Sequence, residues 1–250
     1  TMNIPITPVS LGRLAAITVG SFILAFAVPS TGQIDSSGAS IATAIFAATL
    51  VSFLIFQAAE RRRMLLMTVS LELNKLRRIY HLSKNLSEAS QRFRGWFTEI
   101  HLFLTEYLSV FAQKKFSDYD DGSAAFRKLS YHIYTVPELE TKKEGTLFED
   151  LLKTTGVIAE ARQQIREMQG SRLSAYSWAS VLLIVSGVVI TQVLTLGDST
   201  VSRLLAAVTI ATALLAVEML WEVDALRAEE DSLSKRYVDN IGKLELSRRR

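Results

Sequence analysis

Apolar residues crowd into four stretches along the 250-residue chain, and between the second and third stretch they thin out to a helical spacing. The first stretch is Leu14 to Val28 (LAAITVGSFILAFAV) and the second is Ile41 to Ala59 (IATAIFAATLVSFLIFQAA); the third is Ala175 to Leu196 and the fourth Leu204 to Trp221. Each is close to the roughly 20 residues that carry an α-helix across a hydrocarbon core about 30 Å thick. None of the four prolines falls inside one of them, so every backbone N–H can bond within its own helix, as lipid requires. The pattern predicts four membrane-spanning helices. Short polar joins, STGQIDSSGAS and GDSTVSR, pair them into two hairpins, with the glycine and serine content that tight turns favour. Ala25-Phe26-Ala27 imitates a signal-peptide cleavage site, but only Arg13 precedes the apolar run and a second run follows at once, which favours a retained span.

Past the second span, Leu66, Val69, Leu73, Leu76 and Tyr80 recur at intervals of three and four, which predicts a helix with one buried seam. Nothing between Phe53 and Leu82 breaks a helix. The span therefore continues as a single rod of roughly 60 Å at 1.5 Å per residue. A second amphipathic helix carries Phe93, Trp96, Ile100, Leu104, Tyr107 and Phe111; a third runs from Ser123 to Tyr134 and a fourth from Thr146 to Met168. No stretch alternates for long enough to suggest a sheet. The expected fold is all-α: four transmembrane helices as two hairpins, with a cytoplasmic helical bundle inserted between helices 2 and 3. The corresponding divisions are 1–59, 60–172, 173–221 and 222–250.

Charge then orients this arrangement. The composition is 49% hydrophobic and 21% charged, with a mean hydropathy of +0.22, so the charges must be segregated from the apolar runs. Arg61, Arg62, Arg63, Lys75, Arg77 and Arg78 follow the second span, and Arg162, Arg166 and Arg172 precede the third; the two short joins hold only Asp35, Asp198 and Arg203. Lysine and arginine near span ends stay on the cytoplasmic side. Both termini and the middle region are therefore expected in the cytoplasm of a cell with an inner membrane, and the arginines of QAAERRRM anchor the exit, where their long stems can snorkel to the headgroups. A net charge of +3 is too small and too spread to point to nucleic acid.

The chemistry in this sequence is sparse. Cysteine is absent, which removes disulfides, thiolate metal sites and a cysteine nucleophile. His81, His101 and His132 form no metal-binding spacing, and FSDYDDGSAAF lacks the closing glutamate of a calcium loop; a loop before a helix explains it better. No phosphate loop, nucleophile elbow or redox motif occurs. The chain reads as a non-enzyme with no cofactor. Gly12, Ala16 and Gly20 give the first span a small-residue face that another helix can approach. Phe46, Leu50, Phe53 and Gln57 form one stripe on the second span, which ends at Glu60 and Arg61. Around an axis shared by several copies, that stripe would form an apolar constriction with a charged mouth. Ordinary helix packing or lipid contact is the plainer use of it. Glu218 and Glu222, on one helix face at the end of the fourth span, are the acidic candidates for the same mouth.

The stretch FLIFQAAERRRMLLMTVSLELNKLRRIYHL, where a span runs into an arginine-rich exit and a helix bearing Glu72, and ARQQIREMQGSRLSAYSW before the third span resemble a prokaryotic bestrophin-like membrane family. Bestrophins are pentameric channels lined by their second helix. The resemblance implies a self-associating ion channel in a lipid bilayer, with inorganic ions as its cargo. In animal bestrophins an acidic cluster after the fourth span binds calcium; Glu229, Glu230 and Asp231 lie at a comparable location, with different spacing and flanks. The competing expectation is a non-transporting scaffold or accessory subunit that docks a partner through its cytoplasmic helices.

Overall fold

The structure is a computed structural model. It describes the backbone of residues 8–29, 37–113, 116–225 and 227–248, and among these the side chains of all but 8–11, 37–40, 112–113, 117, 227–231 and 245–248. Every regular element among the described residues is an α-helix or a short 3-10 turn: α1 (Pro8–Ala27), α2 (Ser37–Ala89), α3 (Arg94–Gln113), α4 (Ser123–Tyr134), α5 (Lys142–Gly170), α6 (Ala175–Leu194), α7 (Thr200–Ala225) and α8 (Arg227–Arg248). The chain divides into two compact units, one of Thr1–Arg62 and Arg172–Ala228, the other of Arg63–Ser171 and Glu229–Arg250.

The expected four-span arrangement is corrected here. Among the described residues three helices are long and apolar enough to cross a membrane: α2, through the segment that starts at Ile41, α6 and α7. The first apolar helix, described from Gly12 to Ala27, falls short of that length. After Arg13, the uncharged stretch Leu14 to Ala27 covers about 21 Å of a hydrocarbon core about 30 Å thick. Nor is the second unit only an insert, because the C-terminal residues of α8 belong to it.

In the first unit α6 and α7 pack side by side and α1 lies along α7, burying Ser21 and Ala25. Gly12 and Gly20 meet nothing within 4 Å of where a Cβ would stand, and Ala16 is exposed. Among the described residues, the small-residue face of α1 is therefore not packed against another helix. The core consists of Val51 and Ala58 from α2, Val181 and Val185 from α6, and Leu220 and Val223 from α7. Helix ends are closed locally: Ser174 Oγ accepts from the Ser177 N–H at 3.0 Å at the start of α6, and Ser199 Oγ accepts from the Ser202 N–H at 3.1 Å before α7. Each hydroxyl satisfies a backbone donor that the first turn leaves without a helical partner.

The second unit is built on aromatic residues. Its largest fully buried side chains include Tyr80, Tyr107, Tyr119, Tyr237, Phe93 and Phe111. Of the seam expected on α2, Val69, Leu73, Leu76 and Tyr80 are buried, while Leu66 is half-buried and its neighbour Leu65 is buried instead. Phe111 stacks on Tyr119 at 5.3 Å and packs, tilted, against Tyr237 at 4.3 Å between ring centroids. The sequence FSDYDDG forms a 3-10 stretch, Phe116–Gly122, that runs into α4. Its glycine is required by packing, because a Cβ at Gly122 would lie 2.8 Å from Cζ of Phe111. Helix α5 starts on a capping box: the Glu144 N–H donates to Thr141 Oγ1 at 3.2 Å, and the Thr141 N–H donates to Glu144 Oε2 at 3.1 Å.

Candidate functional site

Two places combine unusual side chains with a defined position, one in each unit. The first is the apolar part of α2. Ala47, Val51 and Ala58 are buried on one side of this helix, and Leu54 and Ile55 pack against the same core. Their small size leaves a cavity of about 320 Å³ among α2, α6 and α7, lined by Ala44, Ala47, Val51, Val185, Val188 and Ala216. The opposite side carries the large residues: Phe46 is 60% exposed and Phe53 58%, with Phe56 and Gln57 also exposed. Leu50, expected to share their stripe, is half-buried and packs against the core. A step of 100° per residue puts Phe46, Phe53 and Gln57 within about 40° of one another and Leu50 at the edge of that face.

The charged end of this segment is tied into the first unit. Arg61 Nη2 lies 3.0 Å from Asp224 Oδ1 and donates to the Asp224 backbone carbonyl at 2.6 Å. The side chains of this pair are only 11% and 7% exposed. Asp224 also accepts from the Leu173 N–H at 3.1 Å, so one carboxylate joins α2, α7 and the segment that leads into α6. A buried pair of this kind holds its partners strictly, since loss of either leaves an uncompensated charge. Glu218 accepts from Arg13 Nη1 at 3.0 Å, linking α7 to α1. Arg61 and Glu218, two of the four residues expected at a charged mouth, are thus engaged in ion pairs; Glu60 and Glu222 are half-buried.

The second place is centred on Glu72, which is fully buried. Tyr107 of α3 donates its hydroxyl to Glu72 Oε1. Tyr119 of the 3-10 stretch and Tyr237 of α8 donate to Oε2 at 2.8 and 2.6 Å. Arg162 of α5 lies 3.7 Å from Oε1, donates from Nη1 to the Tyr107 oxygen and from Nη2 to Ser123 Oγ at 3.1 Å. The guanidinium also faces the rings of Tyr107, Tyr119 and Phe126, each 4.9 Å from centroid to Cζ, which adds cation–π attraction in a desolvated site. Five elements converge on one carboxylate. Burial pushes the Glu72 carboxyl above the ordinary carboxylate value, and the three phenols and Arg162 offset only part of that rise. Burial together with the neighbouring carboxylate pushes the Tyr107 and Tyr237 hydroxyls well up, so they remain donors at neutral pH.

Two of the three histidines, His101 and His132, pack among aromatic rings, and His81 is exposed. His132 stands against Trp96 and Phe103, with its Nδ1 3.4 Å from Glu99, and His101 lies beside Tyr80 and Phe97. Asp118, Asp120 and Asp121 are exposed. Among the described residues no group of three or more histidine, cysteine, aspartate or glutamate side chains is placed to hold a metal ion. Glu229, Glu230 and Asp231 lie outside the residues whose side chains are described.

A family model for the bestrophin-like domain matches residues 37–225, most of the chain. The chain belongs to the bestrophin-like family. Two crystal structures share its fold. One is a variant of a bacterial bestrophin homologue from Klebsiella pneumoniae, with 9% identity, a TM-score of 0.68 and 94% of this chain and 98% of that one covered. The other is described as a membrane protein, with 10% identity, a TM-score of 0.65 and 93% and 98% covered. No curated protein sequence matches. At such identities the likeness carries the fold, and the helices of this bestrophin-like chain make it a multi-pass membrane protein. The family agrees with the non-enzymatic reading of the sequence.

Within this bestrophin-like fold the Glu72 centre is what sequence reasoning missed. Glu72 sits beside the apolar seam of Val69, Leu73 and Leu76, where a carboxylate is costly unless it is hydrogen-bonded. Tyr107 and Tyr237 each fall on a buried helix face. A carboxylate on one seam and phenols on others were the available signal, but which of them meet is a matter of tertiary packing.

Proposed function

We propose that this protein is an ion channel formed by several copies of the chain, with α2 along the axis. Phe46 and Phe53 form the narrow apolar part, with Leu50 at its edge and Gln57 toward the charged end. Five copies are what the family resemblance implies. The observation that carries the proposal is the two-faced character of α2: small residues pack inward against α6 and α7, and large aromatic residues are exposed among the described residues. A helix packed through small residues and facing lipid shares this division; what the family resemblance adds is an axis, around which bulky side chains free of their own subunit form the narrow apolar ring that gates by dewetting. Glu60, Arg61, Glu218 and Glu222 supply charge at the polar end of the path, with Arg61 and Glu218 held in their ion pairs. By the arginines that follow the apolar part of α2, the second unit and both termini lie in the cytoplasm, at the inner membrane.

Protein purified and sealed into liposomes is expected to pass monovalent ions. Phe53→Ala, which widens an apolar ring without disturbing the α2–α6–α7 core, is expected to raise that flux by about tenfold. Tight vesicles that show no flux with either protein would overturn the channel and favour a membrane scaffold.

A further inference from the structure

Helix α4 has two different faces. Ala125, Leu129 and Ile133, spaced by four, are buried on the side that packs on α3. The other side carries Ser123, Phe126, Arg127, Ser130, Tyr131 and Tyr134, a run of i, i+3, i+4, i+7, i+8 and i+11 that lies on one helical face. This face borders a cavity of about 350 Å³, closed from α5 by Ala159, Arg162 and Arg166. Three guanidinium groups line one small cavity. Arg162 is buried and forms its floor, while Tyr131, 74% exposed, and Tyr134, 64% exposed, stand at its rim.

The charge there is poorly compensated. Arg162 has Glu72, but among the described residues Arg127 has no carboxylate partner, and Arg166 has only Asp120 at 3.8 Å in a pair that is 47% and 77% exposed. Exposed pairs of that kind are weak. Guanidinium groups repel one another unless an anion lies between them, and their planar forks match the oxygens of a tetrahedral oxyanion. The hydroxyls of Ser123 and Ser130 add further hydrogen-bonding groups. The volume is at the lower end of the roughly 300–1,000 Å³ common to small-molecule sites, more than a bare ion requires.

We propose that the cavity between α4 and α5 is a binding site for a phosphate dianion, free or carried as a monoester, held by Arg127 and Arg166 over the fixed charge of Arg162. The exposed rings of Tyr131 and Tyr134 accommodate the organic part of a monoester. Because Arg162 touches both this cavity and the Glu72 centre, an occupant lies one side chain away from the carboxylate that joins α2 to α8. The site does not depend on the protein being a channel.

The test is titration of the full-length protein in detergent by calorimetry and phosphorus NMR, at an ionic strength fixed with chloride. The probes are inorganic phosphate, phenyl phosphate and phosphatidic acid in mixed micelles. Saturable binding of phosphate is expected, with Arg127→Gln and Arg166→Gln each weakening it by about tenfold to a hundredfold, the range for loss of one charge-assisted contact. Both positions are exposed, and unchanged melting curves will show that the variants fold. Tightest binding of phenyl phosphate, lost in Tyr131→Ala, identifies a soluble monoester; tightest binding of phosphatidic acid identifies a lipid headgroup; equal binding of free phosphate identifies the ion, and each of these supports the site. Absence of phosphate binding, or equal binding by the Arg127→Gln/Arg166→Gln double variant, overturns it.

Discussion

Glu72 illustrates how one residue can govern a whole bundle. Its carboxyl is buried, raised above the ordinary value of 4.5, and contacted from α3, the 3-10 stretch, α5 and α8. The groups that face it are Tyr107, Tyr119, Tyr237 and Arg162. Since the folded chain binds this proton more tightly than the unfolded chain, the stability it contributes is complete below about pH 4.5 and declines as pH rises through the raised value. Glu72→Gln, which keeps an acceptor but cannot ionise, should lose that dependence. Melting temperatures of the two proteins between pH 4 and 9 are expected to converge or cross in favour of the variant as pH rises; parallel curves would show that Glu72 does not titrate in this range. None of this could be read from the chain, because Glu72 and Tyr237 are 165 positions apart and only packing brings them together.

At the level of the element, spacing was a good guide to helices and a poorer one to their ends. Ser123–Tyr134 is α4 with the bounds the pattern predicts. Helix α5 was expected from Thr146 and begins at Lys142, because the apolar periodicity starts late while Thr141 and Glu144 set the first turn. That signal, a threonine followed at the third position by glutamate, was present in the sequence. Arg92 adds to it, with Nη2 2.5 Å from Glu144 Oε2. Thr141→Ala is expected to destabilise the protein by about 1 kcal/mol, the usual cost of an N-cap, seen as a lower midpoint of thermal unfolding and faster amide exchange in the first turn of α5. In α2 the pattern identified a continuous helix through the arginines, and the helix runs unbroken from Ser37 to Ala89. It did not separate Leu50 from Phe46 and Phe53, since an apolar residue near the edge of a stripe can turn either way.

For the molecule as a whole, the absence of native cysteine makes the orientation simple to test. Asp198→Cys, in the turn between α6 and α7, is expected to react with a membrane-impermeant maleimide on intact cells. Gly242→Cys, on α8 where a Cβ meets open space, should react only after lysis; the reverse pattern would overturn the cytoplasmic placement of the termini. By itself the sequence determined that the chain is helical, that its charges are kept out of its long apolar runs, and that it has the features of the bestrophin-like family, because hydrophobic periodicity and apolar length act locally and are written in order along the chain. The joining of five elements at Glu72, the pairing of Arg61 with Asp224 and the convergence of three arginines between α4 and α5 were decided by tertiary structure. Each depends on which side chains meet after the helices pack, and burial gives a lone charge no stable place until its partners have arrived.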